Sequence, residues 1–131
     1  MDIAITPRPL RVFLIEDSPH VRDMLLDFLH VPGEVEISGY ADTEDDSVAA
    51  IIAQPVDAVI VDLRLREGSG MAVIERIRKA NLNPSPKLIV FTNHPFPEIK
   101  QRAMKLGADY FFDKSADYES VRITLQSLRT A

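Results

Sequence analysis

Acidic, hydroxyl and ammonium side chains stand at the ends of apolar segments in this sequence. In the segment VIVDLRLREGSG, Asp62 follows three β-branched residues. A carboxylate beside apolar neighbours costs free energy unless a cation or hydrogen bonds compensate for it, so its position requires an explanation. The other polar residues at such positions are Glu16, Asp17, Thr92 and Lys114.

This set of side chains fits the chemistry of a phosphoryl group. Three carboxylates close together repel one another and stay ionised only beside a cation, and all-oxygen ligands suit Mg²⁺. Lys114 and Thr92 can contact an anion on the opposite side. Asp62 stands alone in the sequence, which makes it the candidate nucleophile for an acyl phosphate, with Glu16 and Asp17 at the metal.

The elements that must position these residues alternate between two periods. Short apolar runs with strand character are predicted at 11–17, 34–40, 56–62, 87–93 and 110–112, and helical patterns at 18–30, 43–54, 71–80, 96–107 and 117–129. In the first helix, the predicted buried stripe is Val21, Met24, Leu25 and Phe28, while Leu26 and Leu29 either extend the core or contact a partner.

Strict alternation of strand and helix predicts an α/β fold with a doubly wound parallel sheet of five strands and five flanking helices. In such sheets ligands bind beyond the carboxyl ends of the strands, where the strand order reverses. All the polar residues named above lie at, or just after, the carboxyl ends of predicted strands, so we expect them to meet at one edge of the sheet.

Length and composition limit the remaining choices. The chain of 131 residues corresponds to one domain, which we place at 10–131 after a loose tail at 1–9. Its net charge of -5 gives no support to direct nucleic-acid binding, and the absence of cysteine excludes disulfides and thiolate metal sites. No apolar run is long enough for a membrane helix, and a cytoplasmic location is the default expectation.

Four segments together resemble the response regulator receiver domain of two-component signalling, over about residues 10–129. They are FLIEDS with the acidic pair, VDLRLREGSG with Asp62 and Gly70, VFTN with Thr92, and GADYFFDKS with Lys114. The resemblance implies a flavodoxin-like sheet, similar to that of chemotaxis regulators, with strand order 2-1-3-4-5.

The resemblance also implies roles for single residues. Asp62 would accept a phosphoryl group from a sensor histidine kinase or a phosphotransfer protein, while Lys114 and Thr92 contact that group. Mg²⁺ would be held by Asp17, Asp62 and the backbone carbonyl of Arg64, with Glu16 acting through water. Thr92 and Phe111 would be the switch residues.

At the level of the whole protein, the resemblance implies a phosphoacceptor rather than an enzyme, apart from slow self-catalysed phosphotransfer and autodephosphorylation. The surface of helix 4, strand 5 and helix 5 would bind the output partner or form a homodimer.

Three positions, Ser115, Asn93 and Arg66, depart from the family pattern, and at Arg66, where proline is often found, we expect only a local change of the loop. Ser115 stands where proline often follows the lysine, so we expect either a trans Lys114–Ser115 bond or a strained cis one. Asn93 is bulkier than the small residue usual after the hydroxyl. His94 and the Arg64 side chain lie near the expected pocket mouth and are hypothesised to set the lifetime of the phosphoryl group.

Two other functions remain as alternatives. One is a receiver-like interaction module that is never phosphorylated, which the departures at Ser115 and Asn93 keep open. The other is a Mg²⁺-dependent aspartyl phosphohydrolase, which fits less well because such enzymes commonly carry their nucleophile on the first strand. A nucleotide-binding function lacks a glycine-rich loop after the first strand.

Overall fold

The computed structural model describes residues 8–130, so most of the predicted tail lies outside the described residues. Strands and helices alternate along the chain, with bounds close to those predicted. The strands are β1 (Leu10–Ile15), β2 (Val35–Ala41), β3 (Ala58–Val61), β4 (Lys87–Thr92) and β5 (Tyr110–Asp113). The helices are α1 (Pro19–Leu29), α2 (Glu44–Ala53), α3 (Gly70–Lys79), α4 (Pro97–Leu106) and α5 (Tyr118–Thr130).

Side-chain caps fix where three of the helices begin. The hydroxyls of Ser18, Thr43 and Ser69 accept hydrogen bonds from backbone N–H groups three residues later, at the starts of α1, α2 and α3. At the other end of α4, Gly107 adopts a positive φ of 121°, a conformation that glycine tolerates best. These local signals set the loops at both ends of the sheet.

All five strands are parallel and lie in the order β2-β1-β3-β4-β5. The predicted α/β fold and strand order are therefore confirmed. The chain passes from β1 outward to β2 and then returns to β3 on the other side of β1. The reversal lies between β1 and β3, where doubly wound sheets form a crevice at their carboxyl ends.

The sheet has an apolar layer on each face, which explains why its inner strands are apolar throughout. Val59 and Val61 of β3 face a cluster formed with α2, α3 and α4, whereas Ala58 and Ile60 face a cluster formed with α1 and α5. The same alternation continues through β4. The central strands are thus held rigidly from both sides, and so are the loops that leave them.

The predicted buried stripe of α1 is partly wrong. Leu25 and Leu29 are each 1% exposed, whereas Met24 and Phe28 are 44% and 36% exposed. Leu25 and Leu29 are four residues apart and point together at the sheet, which rotates the core-facing side of the helix away from Met24. Phe28 instead contacts the ring of Tyr118 on α5 edge-on, with 6.1 Å between the ring centroids.

In two other helices, apolar residues at helical spacing face the core. Val73, Ile74 and Ile77 of α3 are buried, as are Val121 and Leu125 of α5. Within residues 8–130, no helix combines the length and the apolar character needed to cross a membrane.

Candidate functional site

The acidic residues of the candidate site lie at the reversal point of the sheet. Glu16 and Asp17 directly follow β1, and Asp62 directly follows β3. The backbone N–H of Asp62 donates to the carbonyl of Ile15 at 3.0 Å, so the ends of the two strands are hydrogen-bonded to each other. The pairing of β1 with β3 thus brings together carboxylates that are far apart in sequence.

Gly70 allows the chain after Asp62 to fold back closely. A Cβ atom at this position would lie 2.2 Å from the carbonyl oxygen of Asp62 and 2.8 Å from the Cα atom of Leu63. These neighbours are backbone atoms, which cannot rotate away. The glycine of the predicted motif therefore serves close approach of two backbone segments rather than a positive φ.

Lys114 joins the acidic residues from the other side of β4. Its Nζ lies 2.6 Å from Oε2 of Glu16 and 2.9 Å from Oδ2 of Asp62. All three side chains are at least nine-tenths buried, with 2–7% of their side-chain surface exposed. An ammonium between two carboxylates compensates their charge at short range, which a buried ionic group requires.

The pKa values of these groups reflect burial opposed by ion pairing. Burial raises the pKa of Glu16 to about 7, aided by the charge of Asp62 and opposed by Lys114. Burial likewise raises the pKa of Asp62 against the effect of Lys114. Burial alone would lower the pKa of Lys114, but its hydrogen bonds to Glu16 and Asp62 outweigh this, and its pKa lies above its ordinary value.

The donor set fits a hard divalent cation. Glu16, Asp17 and Asp62 each offer a carboxylate oxygen, and these oxygens lie within 4.8 Å of one another. Asp17 is exposed and opens the set to solvent. Oxygen ligands and an open side suit Mg²⁺, which retains several of its waters in protein sites. Burial, the largest cause of the raised pKa values of Glu16 and Asp62, disfavours their negative charge, which a bound cation would offset.

A cleft of about 310 Å³ gives access to these groups. Its walls carry the acidic residues and Lys114, together with Arg64, Asn93 and His94. The backbone N–H of Arg64 donates to Oδ1 of Asp62 at 3.3 Å, so both oxygens of the Asp62 carboxylate have a partner. The cleft therefore leaves the Asp62 carboxylate open to a small ligand from the solvent side.

Thr92 and Phe111 lie beside this arrangement rather than in it. The Thr92 side chain is fully buried, and its Oγ1 accepts a hydrogen bond from the backbone N–H of His94 at 3.1 Å. Phe111 is half-buried and packs against the cluster formed with α2, α3 and α4. The Lys114–Ser115 bond is trans, since among residues 8–130 only Asn83–Pro84 is cis.

Sequence reasoning missed two acidic residues around Lys114. Asp113 and Asp117 accept hydrogen bonds from backbone N–H groups of the same short turn, at Ser115 and Asp113 respectively. Aspartate two residues before serine is a common turn pattern, and the segment FFDKSAD contains it.

Similar folds occur among solved structures. The receiver domain of the response regulator NarL from Mycobacterium tuberculosis is 23% identical with a TM-score of 0.85, covering 95% of this chain and 99% of that chain. A LuxR-family response regulator from Aurantimonas is 21% identical with a TM-score of 0.82, covering 93% and 86%. The chemotaxis protein CheY4 from Vibrio cholerae is 23% identical with a TM-score of 0.78, covering 92% and 98%.

The sequence also matches a family model. The model describes the response regulator receiver domain and matches residues 12–126, which include the acidic pair, Asp62, Thr92 and Lys114. The match begins within β1 and ends within α5, so it includes residues of all five strands. The chain therefore belongs to the response regulator receiver domain family of two-component signalling.

Proposed function

We propose that this receiver domain is a phosphoacceptor that takes a phosphoryl group onto Asp62 from a histidine kinase or a phosphotransfer protein. The observation that carries the proposal is the buried Asp62 carboxylate, paired with Lys114 at 2.9 Å at the base of an open cleft. A rigid sheet end and a fixed ammonium are suited to holding a carboxylate in place for attack on phosphorus.

The transfer balances without a further reactant. A carboxylate oxygen of Asp62 forms a bond to phosphorus while the phosphorus–nitrogen bond of the donor phosphohistidine breaks. The donor imidazole, protonated on its other nitrogen, leaves as a neutral ring. The product on Asp62 is an acyl phosphate, and Lys114, already paired with Asp62, can transfer its hydrogen bond to a phosphoryl oxygen.

Mg²⁺, when bound, would neutralise charge that builds up between the acidic residues and the phosphoryl oxygens. Asp17, Asp62 and the Arg64 carbonyl would hold it directly, and Glu16 through a water. The residues of the chain do the rest. Lys114 orients the Asp62 carboxylate, and the apolar strands around it exclude water from its inner side.

The switch in this proposal starts at Thr92. Its hydroxyl leaves the His94 N–H and turns toward the new phosphoryl group, and Phe111 turns inward as the space beside Thr92 changes. The surface of α4, β5 and α5 then changes shape and contacts an output partner or a second copy of the chain. New charge that biases a two-state element is the general form of such switches.

The same proposal includes where the domain works and what it contacts. The domain works in the cytoplasm with protein partners, and neither nucleic acid nor membrane is contacted directly. The net charge of -5 supports the absence of direct contact with nucleic acid, because a surface that binds nucleic acid needs positive charge. Catalysis is limited to its own phosphorylation and slow dephosphorylation.

The test is intact-mass measurement after incubation with Mg²⁺ and a small-molecule phosphodonor such as phosphoramidate. We expect a single phosphoryl adduct on the wild-type chain and none on Asp62→Asn, because asparagine keeps the shape but is not a nucleophile. The matched control is Asp23→Asn, whose side chain is 71% exposed on α1 and should leave the adduct unchanged.

Two other outcomes would overturn the proposal in different directions. Rapid donor hydrolysis without a stable adduct would indicate an aspartyl phosphohydrolase. No adduct and no hydrolysis, with a folded protein, would indicate an interaction module that is not phosphorylated.

A further inference from the structure

The position of Lys114 depends on a short turn between β5 and α5. The Lys114 backbone N–H donates to the carbonyl of Thr92 at 2.9 Å, which fixes where the residue leaves the sheet. From there its side chain reaches Glu16 and Asp62 near the centre of the sheet. Small rotations of the backbone at this point would move the distant Nζ atom by a large amount.

The Asp113 side chain holds the turn by hydrogen bonds to Ser115, the residue after Lys114. Its Oδ1 accepts hydrogen bonds from the backbone N–H of Ser115 at 2.9 Å and from the Ser115 hydroxyl at 2.8 Å. These two bonds connect the residues immediately before and after Lys114. Proline at position 115 could not make either bond, because it has no N–H and no hydroxyl.

Asp117 connects the same turn to α5. Its Oδ2 accepts from the backbone N–H of Asp113 at 2.9 Å, while its backbone carbonyl accepts from the N–H of Val121. The next residue, Tyr118, contacts the ring of Phe91 on β4 edge-on, with 4.9 Å between ring centroids. The carboxylate of Asp117 is therefore fixed relative to the sheet through the aromatic contact of α5.

We propose that Asp113, Ser115 and Asp117 are positioning residues for Lys114, whose hydrogen bonds set the turn that brings the Lys114 ammonium to Asp62. This inference rests on the proposed function, since the consequence of placing Lys114 is the rate at which Asp62 is phosphorylated. The three residues touch neither Asp62 nor Glu16 through any described hydrogen bond, and they act through the backbone of Lys114.

The first measurement is the phosphorylation rate with Mg²⁺ and phosphoramidate. Removing the acceptor in Asp113→Ala should slow phosphorylation about tenfold, because a misplaced catalytic group costs rate steeply. Asp113→Asn keeps the Oδ1 acceptor and should restore most of the rate. Equal rates for wild type and Asp113→Ala would overturn the inference.

A double-mutant cycle separates positioning from a general structural role. In a Lys114→Ala background the turn has no ammonium to place, so adding Asp113→Ala should not slow phosphorylation further. A structural role predicts the same fractional loss in both backgrounds, and that result would contradict the inference. Asp23→Ala serves as the control for an exposed aspartate and should leave the rate unchanged.

A second readout does not depend on phosphorylation. Lys114 is 6% exposed in its side chain, so reductive methylation followed by peptide mapping should modify it slowly in the wild type. Asp113→Ala should speed modification of Lys114 severalfold without changing the exposed Lys79, and unchanged protection would count against the inference. A wild type that takes up no phosphoryl group but shows this change would refute the proposed function and leave the positioning intact.

Discussion

Asp17 differs from the other two acidic residues of the site in being exposed. Glu16 and Asp62 form ion pairs with Lys114, whereas Asp17 faces the cleft from the solvent side. A cation that enters the cleft would therefore meet Asp17 first. In the proposed magnesium site, Asp17 is thus the accessible ligand, whereas Asp62 is both a buried ligand and the proposed nucleophile.

This division predicts the effect of Asp17→Asn. Mg²⁺ affinity should fall by at least the roughly tenfold that changes to outer partners of metal sites produce, because one full charge is lost from the ligand set. The stability of the folded chain should hardly change, since the side chain is exposed. Isothermal titration calorimetry gives the affinity, and an unchanged dissociation constant would remove Asp17 from the metal site.

Arg64 and His94 are among the residues that line the cleft. His94 stacks against Phe96, with 6.3 Å between ring centroids, and Arg64 lies in the loop between β3 and α3. Both can restrict the approach of water to a phosphoryl group on Asp62.

We therefore expect Arg64→Ala and His94→Ala each to shorten the lifetime of the phosphorylated form. Removal of either side chain opens a path for the water that hydrolyses the acyl phosphate. The decay of the adduct after removal of the donor, followed by intact mass, measures this lifetime. If both variants decay at the wild-type rate, these side chains do not control water access.

At the scale of elements, the strands were easier to predict than the faces of the helices. A run such as AVIV in β3 has only one arrangement in which both faces are covered, and the structure shows this arrangement. The sequence of α1 has apolar residues on nearly every side, so periodicity alone could not select the core-facing one. The core-facing side is the one on which Leu25 and Leu29 pack against the sheet.

The rotated face of α1 has a measurable consequence. Leu29→Ala should cost about 2–5 kcal/mol of unfolding free energy, because it removes a fully buried side chain. Met24→Ala should change it by less than about 0.5 kcal/mol, as expected for an exposed position on a helix. Urea unfolding followed by circular dichroism compares the two, and equal losses would restore the face predicted from periodicity.

Part of the candidate site was also within reach of the sequence. The strand-end positions of Glu16, Asp17, Asp62 and Lys114 followed from the alternation of elements alone. The turn that holds Lys114 could be predicted only in part, because its pattern of Asp113 and Ser115 is local whereas the contact of Tyr118 with Phe91 is not. That contact joins α5 to β4, and no local pattern encodes it.

At the scale of the whole molecule, each end of the sheet carries a cleft with an aspartate in it. The carboxyl ends of the strands carry the cleft with Asp62, whereas the amino ends carry a groove of about 360 Å³ that contains Asp57. Asp57 accepts hydrogen bonds from the Arg11 backbone N–H at 2.8 Å and from the Arg8 side chain. It thereby joins the start of β3 to the start of β1.

The stability that Asp57 contributes should depend on pH in a defined direction. Burial acts to raise its pKa, but the hydrogen bonds from Arg8 and Arg11 outweigh this, and the pKa lies below its ordinary value of 3.8. A lowered pKa in the folded state means that the contribution is fully present above about pH 4 and is lost as the pH falls through the lowered value.

The comparison is between wild type and Asp57→Asn, which keeps an acceptor for the Arg11 N–H but loses the charge. Their difference in unfolding free energy should be larger at pH 7 than at pH 3. Phosphorylation of Asp62 at pH 7 should remain, because Asp57 lies at the opposite end of the sheet. A difference that does not change with pH would show that the charge of Asp57 does not contribute.

Because of the strand order, the candidate site of this receiver is complete only when the sheet is complete. Asp62 comes from the central strand β3, whereas Lys114 comes from β5 at the edge, with β4 between them. A molecule in which β5 and α5 have detached still presents its acidic residues but has lost the ammonium that pairs with Asp62. If Asp62 is the phosphoacceptor as proposed, such a molecule would accept a phosphoryl group poorly, and phosphorylation would be confined to molecules whose sheet is complete.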